Sequence, residues 1–234
     1  MIPWLEPGDP FPPVGQALAE PNGLLAAGED LTIPRLLDAY RRGIFPWFND
    51  EDPVLWWSPD PRMVLYTAEA KVSRSLRKTA RSGRFRLTCD QVFTQVMQEC
   101  AAPRPGQDGT WITPAMLDAY VGLAALGHAH SIEVWEDGVL VGGLYGVSIG
   151  RMFYGESMFA RRSDASKVAL VALARQLHRW GMPVIDCQTT TAHLASLGAR
   201  QVERADFVEA VRRLVGLAPP VGTWTLDADL PATV

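Results

Sequence analysis

The segment Ser131-Ile-Glu-Val-Trp-Glu-Asp-Gly-Val-Leu-Val-Gly-Gly-Leu-Tyr-Gly-Val147 sets the fold class of this chain. Two runs rich in β-branched and aromatic residues flank Asp137-Gly138, a dipeptide that favours the tight turn of a β-hairpin. A second turn at Gly150 and a third predicted strand, residues 151–158, extend the hairpin. The sequence therefore predicts a β-meander of three antiparallel strands.

Helices and strands alternate after this meander. Apolar residues recur with helical spacing between Val168 and Leu177, and this helix is predicted to begin at Ser163 or Asp164 and to end at Trp180-Gly181. A buried strand (183–187), a short helix (192–197), a strand (200–204) and a last helix (206–215) are predicted next. This order is typical of the α+β class.

The N-terminal part is predicted to be mostly helical after an irregular, proline-rich beginning. One helix begins at Asp30 or Thr32 and ends at Gly43, and the Trp- and Pro-rich stretches 43–48 and 56–62 are interpreted as rigid loops. A strand at 63–66 and helices near 74–81, 90–100 and 113–126 complete this prediction. We expect three segments: 1–62, irregular with one helix; 63–110, a basic-helix region of the same N-terminal domain; and 111–234, a catalytic domain.

The charge of the chain is distributed unevenly. The 234 residues carry a formal net charge of −4, yet the stretch from Lys71 to Arg86 contains seven basic residues and no acid. Four of these basic residues follow the spacing i, i+3, i+4, i+7 and share one helix face: Arg74, Arg77, Lys78 and Arg81. The face is either a binding surface for nucleic-acid phosphates or a solvated helix face, and composition leaves both interpretations open.

Cysteine content and the N-terminus indicate the compartment. The three cysteines, Cys89, Cys100 and Cys187, form no C-x-x-C motif, which disfavours a disulfide framework and a cysteine zinc site. The sequence shows no signal peptide and no apolar run long enough to span a bilayer. The four histidines show no metal-binding spacing. We therefore expect a cytoplasmic protein without a metal, a cofactor or a membrane partner.

The predicted order of the C-terminal half resembles the fold of GCN5-related N-acetyltransferases. Those enzymes usually hold the coenzyme A pyrophosphate with a glycine-containing loop at the start of the central helix. The corresponding segment here, Arg161-Arg-Ser-Asp-Ala-Ser-Lys167, contains no glycine. A coenzyme A-dependent N-acetyltransferase is therefore an alternative that this segment disfavours.

Ten short motifs, in register over residues 11–215, resemble the leucyl/phenylalanyl-tRNA–protein transferase family. They are Leu24-Leu-Ala-Ala-Gly-Glu-Asp-Leu31, Ala39-Tyr-Arg-Arg-Gly-Ile-Phe-Pro-Trp47, Trp56-Trp-Ser-Pro-Asp-Pro-Arg62, Gly109-Thr-Trp-Ile-Thr113, Gly127-His-Ala-His-Ser-Ile-Glu-Val-Trp135, Gly142-Gly-Leu-Tyr-Gly146, Phe153-Tyr-Gly-Glu-Ser-Met-Phe159, Ala165-Ser-Lys167, Ile185-Asp-Cys-Gln188 and His193-Leu-Ala-Ser-Leu-Gly-Ala199. The sequence departs from the family pattern at Glu29, Ala160 and Thr191, where Gly, Ser and Asn are common.

The resemblance implies an activity and partners. An enzyme of this family transfers Leu or Phe, with Met left open, from aminoacyl-tRNA to the α-amino group of a protein that begins with Arg or Lys. The product is an N-degron that directs the protein to proteolysis. We expect the enzyme to act as a monomer. A non-catalytic tRNA-binding module remains the other alternative.

The resemblance also implies site residues. It places Asp186 and Gln188 at the reaction centre, and their spacing on a strand would put both side chains on one face. The other interpretation is a capped strand end with a solvent-facing neighbour. For Glu156, the resemblance favours a ligand of the aminoacyl amino group over a buried partner of an arginine.

Two further groups complete the predicted site. Phe153, Met158, Leu170 and Ile185 are candidate walls of the pocket for the Leu or Phe side chain, although such apolar residues could equally belong to the core. Trp47 and Trp111 are candidates to stack on the terminal adenosine of the tRNA. The basic face of Arg74, Arg77, Lys78 and Arg81 is the candidate tRNA-binding surface.

Overall fold

The computed structural model describes residues 2–103, 110–219 and 224–230 of the chain. Gly109, the first residue of one of the ten motifs, and the end of the predicted segment 111–234 lie outside these residues. In the described ranges, no helix combines the length and apolar character that crossing a membrane would require.

The described residues form eleven strands and seven α-helices. The strands are β1 (Trp4–Leu5), β2 (Leu24–Gly28), β3 (Phe45–Pro46), β4 (Val54–Trp57), β5 (Arg62–Tyr66), β6 (Arg86–Cys89), β7 (Ala129–Glu136), β8 (Val139–Ile149), β9 (Met152–Ala160), β10 (Val184–Gln188) and β11 (Arg200–Val202). The helices are α1 (Ile33–Arg41), α2 (Arg74–Arg81), α3 (Phe93–Ala101), α4 (Pro114–Ala125), α5 (Ala165–Arg179), α6 (Ala192–Ser196) and α7 (Arg204–Val215). Two short 3-10 helices occupy Val14–Gln16 and Thr67–Glu69.

The larger sheet has seven strands in the order β11-β5-β10-β9-β8-β7-β6. Strands β7, β8 and β9 pair in antiparallel fashion, which confirms the predicted meander. Helix α5 then crosses over to β10, which lies parallel to β9 and antiparallel to β5. The crossover places the start of α5 and the ends of β9 and β10 around one region of the molecule.

A smaller sheet corrects the prediction of a mostly helical N-terminal part. Strands β1, β2, β4 and β3 form this sheet, with α1 between β2 and β3 in the chain. The stretches interpreted as loops supply two of its strands, and Trp56 is fully buried, with its ring 4.9 Å from that of Phe11. Tryptophan suits a half-buried pleated surface, so these residues favour strands once a partner strand is present.

The larger sheet also crosses the boundary predicted at residue 111. Strand β5 pairs with β10 and β11, and β6 pairs with β7, so residues from the segment 63–110 complete the sheet of the C-terminal half.

Two helix starts follow local capping rules, and the predicted start of α5 does not. Ser73 accepts a hydrogen bond from the amide of Leu76 at 3.1 Å, and Thr113 caps α4 by accepting one from Met116. Asp164 precedes α5 but does not cap it. It has a left-handed φ of 68°, and its carboxylate accepts a hydrogen bond from Lys167 Nζ at 3.0 Å instead.

Candidate active site

A cavity of about 330 Å³ opens where strands β9 and β10 separate. The two strands pair as far as Tyr154 and Asp186. Beyond this point their residues no longer face each other, and Gly155–Met158 and Cys187–Thr189 contribute to the walls of the cavity. The side of α5 that faces the sheet closes the cavity. The separation of two parallel neighbours thus creates a site at the middle of the sheet.

The apolar end of this cavity contains all four predicted pocket residues. Phe153, Met158, Leu170 and Ile185 are among its lining residues. The structure adds Leu144 from β8, Leu173 from α5 and Cys187 from β10, which were not among the predicted pocket residues. The helical spacing of Leu173, three residues after Leu170, was a signal that could have identified it.

The polar end of the cavity is built around Glu156 and Gln188. Gln188 Nε2 donates a hydrogen bond to Glu156 Oε1 at 2.8 Å. Tyr120 donates its hydroxyl to Glu156 Oε2 at 3.2 Å, and Tyr40 is hydrogen-bonded to the Tyr120 hydroxyl. Both tyrosines are fully buried. Neither tyrosine belonged to the predicted site, because they come from helices α1 and α4, far from Glu156 in sequence.

The environment of Glu156 changes its protonation. Glu156 is 8% exposed, and burial raises its pKa to about 7. The charge of Asp186 adds to this rise, whereas hydrogen bonds from Tyr40, Tyr120 and Gln188 oppose it. The carboxyl group can therefore exchange a proton near neutral pH inside a site lined mainly by apolar side chains.

Asp186 lies behind the cavity rather than in its wall. Its carboxylate is fully buried and accepts two hydrogen bonds from Arg62, at 2.8 Å from Nε and at 2.6 Å from Nη2. Arg62 also donates to the carbonyl of Gly43, and its guanidinium lies 4.8 Å from the ring of Phe45 and 4.5 Å from that of Phe207. The two charges compensate each other in an environment that excludes water.

A bulge in β10 connects Asp186 to the cavity. The register with β5 shifts between Asp186 and Gln188, and Gln188 has a left-handed φ of 58°. A non-glycine residue adopts this conformation only at a cost of about 1–2 kcal/mol. The backbone amide of Gln188 donates to Asp186 Oδ1 at 2.9 Å. The expectation of a shared strand face is wrong: the bulge sends Asp186 to Arg62 and Gln188 to Glu156.

The candidate adenosine-stacking residues lie outside the lining of this cavity. Trp47 is 47% exposed, and its ring contacts that of Trp57 at 5.4 Å between centroids. The indole of Trp57 donates to the carbonyl of Trp47 at 2.7 Å, which fixes the backbone that carries the exposed ring. Trp111 is half-buried beside the core that contains α4.

The basic face lies on the surface as its spacing predicts. Arg74, Arg77, Lys78 and Arg81 are exposed, whereas Leu76 and Ala80 on the opposite face of α2 are buried against the core that contains α5. Within the described ranges, no three His, Cys, Asp or Glu side chains converge on a point that could hold a metal ion.

The three positions that depart from the family pattern have different environments. Thr191 lines the cavity and caps α6, where its hydroxyl accepts a hydrogen bond from the amide of Leu194 at 3.2 Å. Glu29 and Ala160 are exposed.

Comparisons with known proteins give the same family over nearly the whole chain. A model of the leucyl/phenylalanyl-tRNA protein transferase family matches residues 64–212, and a model of the N-terminal domain of that transferase matches residues 29–60. A leucyl/phenylalanyl-tRNA–protein transferase from Thiobacillus denitrificans is 62% identical over 218 residues, which cover 93% of this chain and 96% of the relative. One from Nitrosospira multiformis is 57% identical over 227 residues, or 97% and 98% of the two chains.

Solved structures are more distant. A GCN5-related N-acetyltransferase from Kribbella flavida is 10% identical, with a TM-score of 0.37 over 68% of this chain and 56% of that chain. The sequence matches carry the assignment: this chain belongs to the leucyl/phenylalanyl-tRNA–protein transferase family of aminoacyltransferases.

Proposed function

We propose that this enzyme transfers Leu or Phe from aminoacyl-tRNA to the N-terminal α-amino group of proteins that begin with Arg or Lys. The observation that carries the proposal is one cavity with an apolar end and a polar end, the latter formed by Glu156 and Gln188. In this role the enzyme acts in the cytoplasm as a monomer, and its products are N-degrons that mark proteins for proteolysis.

The apolar end holds the side chain of the transferred amino acid. Phe153, Leu170 and Ile185 supply fixed walls, and Met158 supplies a flexible one. A thioether side chain adapts to either a branched aliphatic group or an aromatic ring, which supports acceptance of both Leu and Phe.

The reaction is the aminolysis of an ester. The α-amino nitrogen of the acceptor attacks the ester carbonyl carbon, a C–N bond forms, and the C–O bond to the tRNA ribose breaks. The amine gives up a proton, and the departing ribose oxygen gains one. Orientation of the two reactants can supply about 7–11 kcal/mol, so a site that holds both groups suffices for much of the catalysis.

Gln188 receives the acceptor amine in this proposal. Its Nε2 is already bonded to Glu156, which leaves its amide oxygen to accept a hydrogen bond from the amine. Glu156 binds the amino group of the aminoacyl ester and can take up a proton near neutral pH. Asp186 is a positioning residue in this scheme, because it acts on the site through the backbone amide of Gln188 and is itself held by Arg62.

The tRNA contacts lie further out. Trp47 and Trp111 stack on the terminal adenosine, and the basic face of α2 binds backbone phosphates. The exposed ring of Trp47 and the exposed charges of Arg77 and Lys78 support these assignments.

A coenzyme A-dependent N-acetyltransferase is the second candidate, supported by the order of strands and helices from β7 to β11. The glycine-free start of α5 opposes it, because Asp164 places a carboxylate, paired with Lys167, where a pyrophosphate would need a cradle of amides. A non-catalytic RNA-binding module would give no role to the hydrogen-bonded Glu156 and Gln188 in the cavity.

One assay separates the three functions. The enzyme is incubated with Leu-tRNA, Phe-tRNA, acetyl-coenzyme A or uncharged tRNA and a peptide that begins with Arg, and the products are identified by mass spectrometry. We expect one added Leu or Phe residue, and no reaction with the same peptide after acetylation of its α-amino group. Acetylation from acetyl-coenzyme A, or tRNA binding without transfer, would replace the proposal with one of its alternatives.

A further inference from the structure

A second cavity, of about 290 Å³, lies beside the C-terminal half of α5. It is lined by Thr67, Ala68 and Ala70 on one side and by Arg175, His178 and Arg179 on the other. Two of these six lining residues are arginines, one is a histidine, and none is acidic. The cavity is therefore positively charged in its immediate wall.

Arg175 is the central group of this cavity. Its side chain is half-buried, and no carboxylate in residues 2–103, 110–219 or 224–230 lies within ion-pair distance of it. Burial and the nearby charges of Arg77, Arg81 and Arg179 lower the pKa of Arg175. A partly desolvated cation beside like charges is stabilised by an anion that enters the space next to it.

The neighbouring acids are committed to other partners. Arg179 is neutralised by Asp227 and Asp229, which lie 2.6 and 2.7 Å from its Nη1. Glu69, between Ala68 and Ala70 in the chain, forms an ion pair with Arg200. The excess positive charge therefore belongs to Arg175, with Arg77 of α2 close enough to influence it.

We propose that this cavity binds one backbone phosphate of the donor tRNA, with Arg175 and His178 as its ligands and Arg77 beside them. The proposal rests on the proposed use of aminoacyl-tRNA as donor, and we name the cavity the α5 phosphate site. A guanidinium can donate two parallel hydrogen bonds to phosphate oxygens, a geometry that a lysine cannot reproduce. The site joins the exposed face of α2 to α5, because these two helices pack against each other.

The position of the site separates binding from chemistry. Leu170 and Leu173 of α5 line the cavity between β9 and β10, whereas Arg175 and His178 line the α5 phosphate site. A contact on the opposite side of the helix cannot touch the reacting atoms. It should therefore set the affinity for the tRNA body and leave turnover of a donor without that body unchanged.

The test compares Arg175→Gln with Arg213→Gln, which removes the same charge from an exposed arginine of α7. Binding of uncharged tRNA is measured at several salt concentrations, and transfer is measured with Leu-tRNA and with 3′-leucyl-adenosine. We expect Arg175→Gln to weaken tRNA binding about tenfold and to reduce the log–log salt slope by about 0.7–1. We expect Arg213→Gln to do neither and Arg175→Lys to retain the slope.

Three results would overturn the proposal: an unchanged affinity and slope for Arg175→Gln, an equal effect of Arg213→Gln, or an equal loss on 3′-leucyl-adenosine. A competition experiment measures whether tRNA displaces inorganic phosphate from the protein. Displacement that is lost in Arg175→Gln is expected if both ligands use this cavity, and phosphate binding that tRNA does not affect would mean that the cavity takes free phosphate. Absence of transfer by the unmodified enzyme from either donor would contradict the proposed function. The tRNA-binding measurements would then still show whether Arg175 contacts a tRNA phosphate.

Discussion

Arg62 and Asp186 form a bidentate ion pair from which solvent is excluded, with both side chains fully buried and N–O distances of 2.8 and 2.6 Å. The pair joins β5 to β10 directly behind the bulge that carries Gln188. Because Asp186 Oδ1 also accepts the amide of Gln188, the ion pair fixes the left-handed backbone at that residue. The position of Gln188 in the cavity wall thus depends on a charge pair that does not line the cavity.

Asp186→Asn should lower kcat on the order of 100-fold and leave tRNA affinity near that of the unmodified enzyme. The substitution leaves Arg62 without its counter-charge and loosens the Gln188 bulge, and a small displacement of a positioning group is costly in rate. It should also lower the free energy of unfolding by about 3–5 kcal/mol. Urea denaturation and steady-state kinetics measure the two effects, with Asp137→Asn in an exposed turn as the control. Normal turnover would remove Asp186 from the mechanism.

Gln188→Ala should lower kcat by a smaller factor, about 2–15-fold. In the proposed scheme the variant loses one neutral hydrogen bond to the acceptor amine, worth about 0.5–1.5 kcal/mol. It also loses the bond from Nε2 to Glu156, and it keeps the backbone contact with Asp186. The change should appear in kcat with the acceptor peptide saturating. A loss as large as that of Asp186→Asn would show that the Gln188 side chain does more than orient the amine.

Glu156→Gln should stabilise the protein at pH 8 and not at pH 4. The folded protein holds the Glu156 proton more tightly than the unfolded chain does, because the pKa rises from 4.5 to about 7. The free energy of unfolding therefore falls by about 3 kcal/mol as the pH rises from about 4.5 to about 7. The Gln variant cannot lose this proton and avoids the loss. Urea unfolding at the two pH values, with exposed Glu209→Gln as the control, checks the sign. An equal change in the free energy of unfolding at both pH values would contradict the raised pKa of Glu156.

The donor pocket should reject amino acids that branch at Cβ. A misplaced methyl group in an apolar pocket of this kind is worth about 1–3 kcal/mol, so Ile- and Val-tRNA should have kcat/KM values about 10–200-fold below those of Leu- and Phe-tRNA. Single-turnover transfer to a peptide that begins with Arg provides the comparison. Equal rates for Ile and Leu would mean that Phe153, Met158, Leu170 and Ile185 do not bind the side chain.

Charge reversal at Arg77 and Lys78 should strongly weaken the binding of full-length tRNA, and to the same extent for Leu-tRNA and Phe-tRNA. Phosphate contacts position the nucleic acid without reading the amino acid it carries. Turnover of 3′-leucyl-adenosine should stay near normal in the Arg77→Glu, Lys78→Glu double variant. If this minimal donor is affected equally, the α2 face belongs to the active site or to the fold instead of a distant binding surface.

The C-terminal half was predictable from sequence because its signals are local. Asp137-Gly138 fixes a hairpin, and the apolar spacing of α5 fixes a helix, without information from the rest of the chain. The smaller sheet was not predictable in this way. Strand β4 has four residues, and its pairing with β2 depends on a contact between segments that α1 separates.

The site residues likewise differ in whether a local sequence signal identifies them. The family motifs led to Glu156 and Gln188, and the structure bonds the two to each other. Arg62 ends one of the ten motifs, but nothing local indicates its partner, which lies 124 residues away along the chain. Tyr40 and Tyr120 fit ordinary amphipathic helices, and their hydrogen bonds toward Glu156 exist only after α1 and α4 pack against the sheet.

The hydrogen-bonded series from Tyr40 through Tyr120 to Glu156 has a consequence for exchanging parts between relatives. The N-terminal region supplies Tyr40, the carbonyl of Gly43 and the ring of Phe45 as contacts for Tyr120 and Arg62, the partners of Glu156 and Asp186. A chimaera that joins residues 1–60 of one relative to the remainder of another must match at these three points. A mismatch at any of them would change the pKa of Glu156 or the position of the Arg62 side chain, although the junction itself lies outside the cavity.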